Sequence, residues 1–81
     1  MKQTLQNQHC RVEYRQDDKQ IFGEDLTDHN NDPAFYTKSK RGLKNAWEAI
    51  TELWTEEVRM RDLMNICQDH KIKTHYWCMV D

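Results

Sequence analysis

The stretch from Asp32 to Trp54 constrains this chain most, because it combines a helix start signal, a sustained apolar period and several of the largest side chains. Asp32 can cap the free N–H groups of a first turn, and Pro33 fits the first helical position, where its missing N–H costs nothing. Tyr36, Leu43, Trp47, Ile50 and Trp54 then share one stripe at helical spacing, with Phe35, Ala46 and Leu53 widening it. The pattern predicts a long amphipathic helix over 33–54. Its weak point is Gly42, which costs about 1 kcal/mol relative to alanine in a helix interior, and a start at Ser39 is the alternative. Beyond Trp54 the phase changes, since Met60, Leu63, Met64 and Cys67 fall roughly a quarter-turn from the earlier stripe. The shift predicts a kink or break near Thr55 and a second helix over 56–70, with Thr55 as its cap and Glu56 and Glu57 in its first turn.

The flanking segments carry the other period. Cys10, Val12 and Tyr14 alternate with Arg11, Glu13 and Arg15, and Asp17-Asp18 can turn the chain back through Lys19–Phe22, so a hairpin is expected over about 9–22. A helix with Cys10, Tyr14 and Ile21 on one face is the rival, at the cost of placing Asp17 in the middle of that face. At the other end, Ile72, Thr74, Tyr76, Cys78 and Val80 alternate with Lys71, Lys73, His75, Trp77 and Met79, which predicts a strand over 72–80. The sum is an α+β fold, a small sheet packed on two helices, in one domain over 1–81. Residues 1–8, with Leu5 their one apolar anchor, and the loop-forming segment 23–32 are expected to be flexible.

Composition limits the core and the location. Eighty-one residues with 37% hydrophobic and 32% charged side chains make a thin core, so homodimerisation or a bound partner is an expected supplement. Three cysteines, Cys10, Cys67 and Cys78, read as free thiols of a reducing compartment. No apolar run approaches the ~20 residues of a membrane span and no signal peptide is evident, so a cytoplasmic location without membrane insertion is expected.

The chemistry-bearing residues separate several function classes. No nucleophile–base pair, phosphate loop or metal-hydrolase spacing occurs, which argues against an enzyme and against a cofactor. Cys67, His70, His75 and Cys78 have the ligand types of a zinc site, but at i, i+3 on a strand His75 and Cys78 point to opposite sides, so no metal is assigned. The net charge of −2 conceals bands: residues 17–32 hold six acids against Lys19, Lys38, Lys40, Arg41 and Lys44 follow, and Glu48, Glu52, Glu56 and Glu57 come next. The basic cluster beside Phe35 and Tyr36 can neutralise phosphates while rings stack on bases, which makes a small nucleic-acid-binding module the alternative reading. Mimicry of nucleic acid by the acidic band is disfavoured by so small a net charge.

The leading expectation is protein–protein binding, because three tryptophans, three tyrosines and four methionines are generous for this core, and such side chains favour interface centres. Trp54, Trp77, Met79, Phe35 and Tyr36 are the expected anchors. In general style the chain resembles the small single-domain accessory proteins that bacteriophages encode to bind and redirect host or phage proteins. That resemblance implies a non-enzymatic regulator acting by occupying a partner, such as an inhibitor of host defence or a regulator of lysis, and it transfers no site residues.

Overall fold

A computed structural model describes residues 2–28 and 31–78. The order of elements is β1 (Lys2–Gln6), β2 (Cys10–Arg15), β3 (Gln20–Asp25), β4 (Ala34–Thr37), α1 (Leu43–Leu53), α2 (Met60–Asp69) and β5 (Thr74–Trp77). The five strands form one antiparallel sheet in the order β1-β2-β3-β4-β5. Both helices are inserted between β4 and β5, and they pack on one face of the sheet.

The period-2 segments specify the layers. On β2 and β3, Cys10, Val12 and Ile21 point toward the helices at zero exposure, while Arg11, Glu13, Arg15 and Phe22 point away. Phe35 of β4 joins the inner set because Gly23 lies opposite it; a Cβ at position 23 would collide with the Phe35 ring. From the helices, Leu43, Ala46, Trp47 and Ile50 of α1 and Met60, Leu63 and Cys67 of α2 close the core, with Ile72 behind them. Trp47 also donates its indole N–H to Gln3 Oε1 at 2.6 Å, which ties α1 to the sheet edge.

The α+β class stands, and the layout differs from the one expected. Residues 33–54 are not one helix: β4 occupies Ala34–Thr37 and α1 begins only at Leu43. Ala-Phe-Tyr-Thr is strand composition, pairing with β3 buries Phe35 fully, and Gly42 at φ 77° sets the start of α1 in a backbone state that only glycine adopts without strain. Asp32 therefore caps no helix; at φ 46° it turns the chain into Pro33 and β4, with its N–H on Asp28 O.

The break near Thr55 is present, but α2 starts at Met60 rather than at 56. Thr55 Oγ1 accepts from Glu57 N in a turn of its own, and the N-terminus of α2 is closed by Asp62 Oδ2 accepting from Arg59 N at 3.0 Å. The single C-terminal strand expected over 72–80 is β5, shorter at Thr74–Trp77, and its extension to 80 lies outside the described residues. The expected sheet of one hairpin over 9–22 and one C-terminal strand is not what forms: β2–β3 reaches Asp25 and lies inside a five-stranded sheet, with β1 and β4 paired on either side of it. Lys2–Gln6 and Gly23–Asp25 fall in segments expected to be flexible and form β1 and the end of β3.

Candidate functional site

The helices cover one face of the sheet, and the opposite, outer face carries two unlike halves. Over β1–β3 the outward side chains pair with one another. Glu13 lies 2.9 Å from Arg15 Nε, 3.8 Å from Arg11 and 3.9 Å from Lys2, while Arg11 also pairs with Glu24. These partners cover Glu13 so well that it is 6% exposed on an open face. On this half each cation named has a carboxylate partner.

Over β3–β5 the outer face is aromatic. Register places Phe22 beside Tyr36, Tyr36 beside His75, and Ala34 beside Trp77. Ring centroids are 5.2 Å apart for Tyr36–His75, 5.6 Å for Tyr36–Trp77, 5.8 Å for His75–Trp77 and 6.0 Å for Phe22–Trp77. Arg15, held by Glu13, lies over the Phe22 ring at 4.7 Å and so already occupies it. Tyr36, His75 and Trp77 remain as a three-ring platform, with His75 and Trp77 inclined by only 28°. Their contact follows from strand alternation, since 75 and 77 share one face of β5 and 36 faces them from β4.

The row that follows on the same two strands is basic. Lys38 N donates to Lys73 O at 2.7 Å, which continues the β4–β5 register and makes the two lysines cross-strand neighbours beyond Tyr36 and His75. Ser39 Oγ accepts from Lys73 N and fixes the same corner. Around it the topology gathers Lys19 from the β2–β3 turn, Lys40 and Arg41 from the loop before α1, Lys44 from the first turn of α1, and Lys71 from the end of α2. All seven of these cations are exposed, and among the described residues none makes an ion pair with a carboxylate. Asp17, Asp18 and Asp69 are the acidic residues at this end of the elements. The first turn of α1 contains no acidic side chain and no side-chain cap.

The expected site residues divide accordingly. Lys38, Lys40, Arg41 and Lys44 lie together at the basic end, joined by Lys19, Lys71 and Lys73, which the sequence reading did not single out. Tyr36 and Trp77 lie together on the outer face. Phe35 is removed from the partner-binding set, because at 0% exposure its ring is part of the core. Trp54, directly after α1, packs partly buried against the core, away from the platform. Met79 lies outside the described residues. The Cys67, His70, His75 and Cys78 set is dispersed: Cys67 is buried in α2, His70 Nδ1 is 3.0 Å from Ile66 O, His75 is on the outer face and Cys78 is exposed. Among the described residues no group of three or more His, Cys, Asp or Glu side chains is arranged to hold a metal ion.

Perturbed titration is found elsewhere in the molecule. Burial pushes the Cys10 thiol up to about 11, with Asp25 and Asp62 adding to the effect, and burial alone does the same to Cys67. Asp25 is partly desolvated, which raises its carboxyl, yet the hydroxyl and amide of Thr27, the Asp28 amide and Arg59 together hold it below the usual carboxylate value. These groups serve packing and turn formation; none faces the aromatic platform.

His75 and Lys73 were recoverable in part from the sequence. The alternation Lys71, Lys73, His75, Trp77 already placed a basic and aromatic face on one side of the last strand. Only pairing with 34–38 brings Lys38 and Tyr36 alongside it. Among the described residues no helix is long and apolar enough to cross a membrane. Comparison with protein-family models, curated proteins and solved structures finds no match to this chain.

Proposed function

We propose that the protein is a non-catalytic binding module that takes a single-stranded nucleic acid across the outer face of β3–β5. The observation that carries this reading is the order of side chains along two paired strands: Trp77, then Tyr36 with His75, then Lys38 with Lys73. Every base offers a π face, so a ring platform binds single strands with little regard to sequence, and flanking cations neutralise the phosphates. A duplex reader would instead need a helix with a basic polar face, and α2 interleaves Arg61 with Asp62 and Asp69.

Protein binding, the leading expectation from composition, is the second reading. It is favoured by Trp77 and Tyr36, whose side-chain types concentrate at interface centres. The fate of the other anchors weakens it, because Phe35 is in the core and Trp54 packs apart from Trp77. An accessory role of the phage type, acting by occupancy of a partner, belongs to the same proposal and rests on composition.

Titration of the protein with an oligothymidylate of about 12 nucleotides, followed by tryptophan fluorescence at low ionic strength, tests the reading. Quenching is expected, arising from Trp77 and absent in Trp77→Phe. Trp77→Ala should weaken binding by about 1–3 kcal/mol, the worth of one stacked base. The logarithm of the binding constant should fall with the logarithm of salt concentration by about 0.7 per phosphate contacted. If the single strand does not bind at low salt, or binds Trp77→Ala as well as the parent, the reading is wrong. A protein ligand lost in Trp77→Ala and indifferent to salt would establish the second reading in its place.

A further inference from the structure

The seven unpaired cations extend well beyond the two lysines that the platform needs. Six of them, all but Arg41, line two hollows at the basic end. One, of about 560 Å³, is lined by Lys38, Lys71 and Lys73, where the end of α2 meets β4 and β5. The other, of about 360 Å³, is lined by Lys19, Lys40 and Lys44, together with Tyr14, Gln16 and Gly42, where the β2–β3 turn meets the first turn of α1. The loop carrying Lys38, Lys40 and Arg41 leads from the end of β4 to the second hollow, where Lys40 and Lys44 stand. Toward α2, Lys71 is the one addition to the Lys38–Lys73 pair, and Asp69 lies two residues before it. A row of cations that form no ion pair with a carboxylate among the described residues is complementary to a phosphate backbone running the same way.

We infer that a nucleic-acid strand seated on the Tyr36–His75–Trp77 platform continues over the 38–42 loop and lays further phosphates against Lys19, Lys40 and Lys44, so that the full site takes a longer strand than the rings alone. This inference rests on the reading of the outer face as a single-strand platform. It assigns Lys19 and Lys44 to phosphate binding although neither adjoins an aromatic ring of the platform.

Oligothymidylates of about 4 and about 12 nucleotides separate the two contributions. The parent protein should bind the longer strand more tightly than the shorter. The double variant Lys19→Gln/Lys44→Gln, both exposed and unpaired, should weaken the longer strand roughly tenfold and reduce its salt slope by about 1.4, the share of two phosphates, while leaving the shorter strand unchanged. Lys71→Gln, beside the Lys38–Lys73 pair on the other hollow, should leave the preference for the longer strand over the shorter unchanged; circular dichroism checks that each variant is folded. Equal binding of the longer strand by parent and double variant, or a loss confined to Lys71→Gln, overturns the path while leaving the platform intact. Failure of the parent to bind either strand overturns the platform, and the path with it.

Discussion

Asn7 is the residue on which the most separate parts of the chain converge. Its amide donates to Thr55 O at 2.8 Å and to Val58 O at 2.9 Å, and its carbonyl oxygen accepts from His9 N at 2.7 Å and Cys10 N at 2.9 Å. Both donors and both acceptor sites of the side chain are thus used while the residue is 7% exposed. One side chain shapes the turn between β1 and β2 and holds the link between α1 and α2 against it. Asn7→Ala should cost about 2 kcal/mol, because the His9 and Cys10 amides lose the acceptor that Asn7 provides, while Thr55 O keeps Val58 N and Val58 O keeps the Cys10 thiol. Urea denaturation checks the value, and a loss below about 1 kcal/mol would mean that the clamp is replaced by solvent. Nothing in the sequence distinguishes Asn7 from the other polar residues around it. Its role depends on residues 48 and 51 positions away.

The helix ends show which elements were legible and why others were not. At the end of α2, Lys71 stands at φ 59° where a glycine is usual, and Ile72 N donates to Cys67 O at 2.9 Å while Lys71 N donates to Gln68 O at 2.9 Å. This closure is a local event, and the helix before it was readable from the spacing of Met60, Leu63 and Cys67. Residues 34–54 were misleading because strand and helix patterns overlap there: Tyr36, Leu43 and Trp47 keep helical spacing although Tyr36 and Leu43 belong to different elements. Strand pairing of Phe35 opposite Gly23 decides the matter, and that partner lies twelve residues upstream. The candidate site inherited the same difficulty. Its cations were visible as a cluster at 38–44, but their continuity with Lys73, His75 and Trp77 required β4. Lys71→Gly should raise stability by about 0.5–1 kcal/mol by relieving the left-handed backbone, a gain that thermal or urea unfolding would detect. A loss instead would show that the stem of Lys71 contributes packing over Ile72 that outweighs the backbone gain.

Charge bands that alternate along the sequence become the two ends of the molecule, because antiparallel elements reverse the chain at intervals close to the band length. Lys19, the 38–44 cluster, Lys71 and Lys73 gather at one end with Asp17, Asp18 and Asp69 among them, while Glu24, Asp25, Asp28, Asp32, Glu56 and Glu57 lie toward the other ends of the same elements. A net charge of −2 therefore describes neither end. Two opposite effects of salt follow. Without a ligand, repulsion among the seven unpaired cations acts over shorter distances than attraction to the acidic end, in a molecule 32 by 27 by 24 Å. Screening shortens from about 30 Å at 0.01 M salt to about 8 Å at 0.15 M, so added salt should relieve the repulsion and raise the melting temperature by roughly 2–4 °C. With a saturating oligothymidylate the phosphates already answer those cations, and binding to the folded state alone adds stability. The melting temperature should then be highest at low salt and fall as salt releases the strand. Thermal unfolding across salt concentrations, with and without the oligonucleotide, should give curves of opposite slope that converge at high salt. A ligand-free melting temperature that falls with added salt would show that attraction between the ends outweighs crowding within them. The basic end would then be matched by the protein's own acidic end, and the charge argument for an external polyanion would lose its basis.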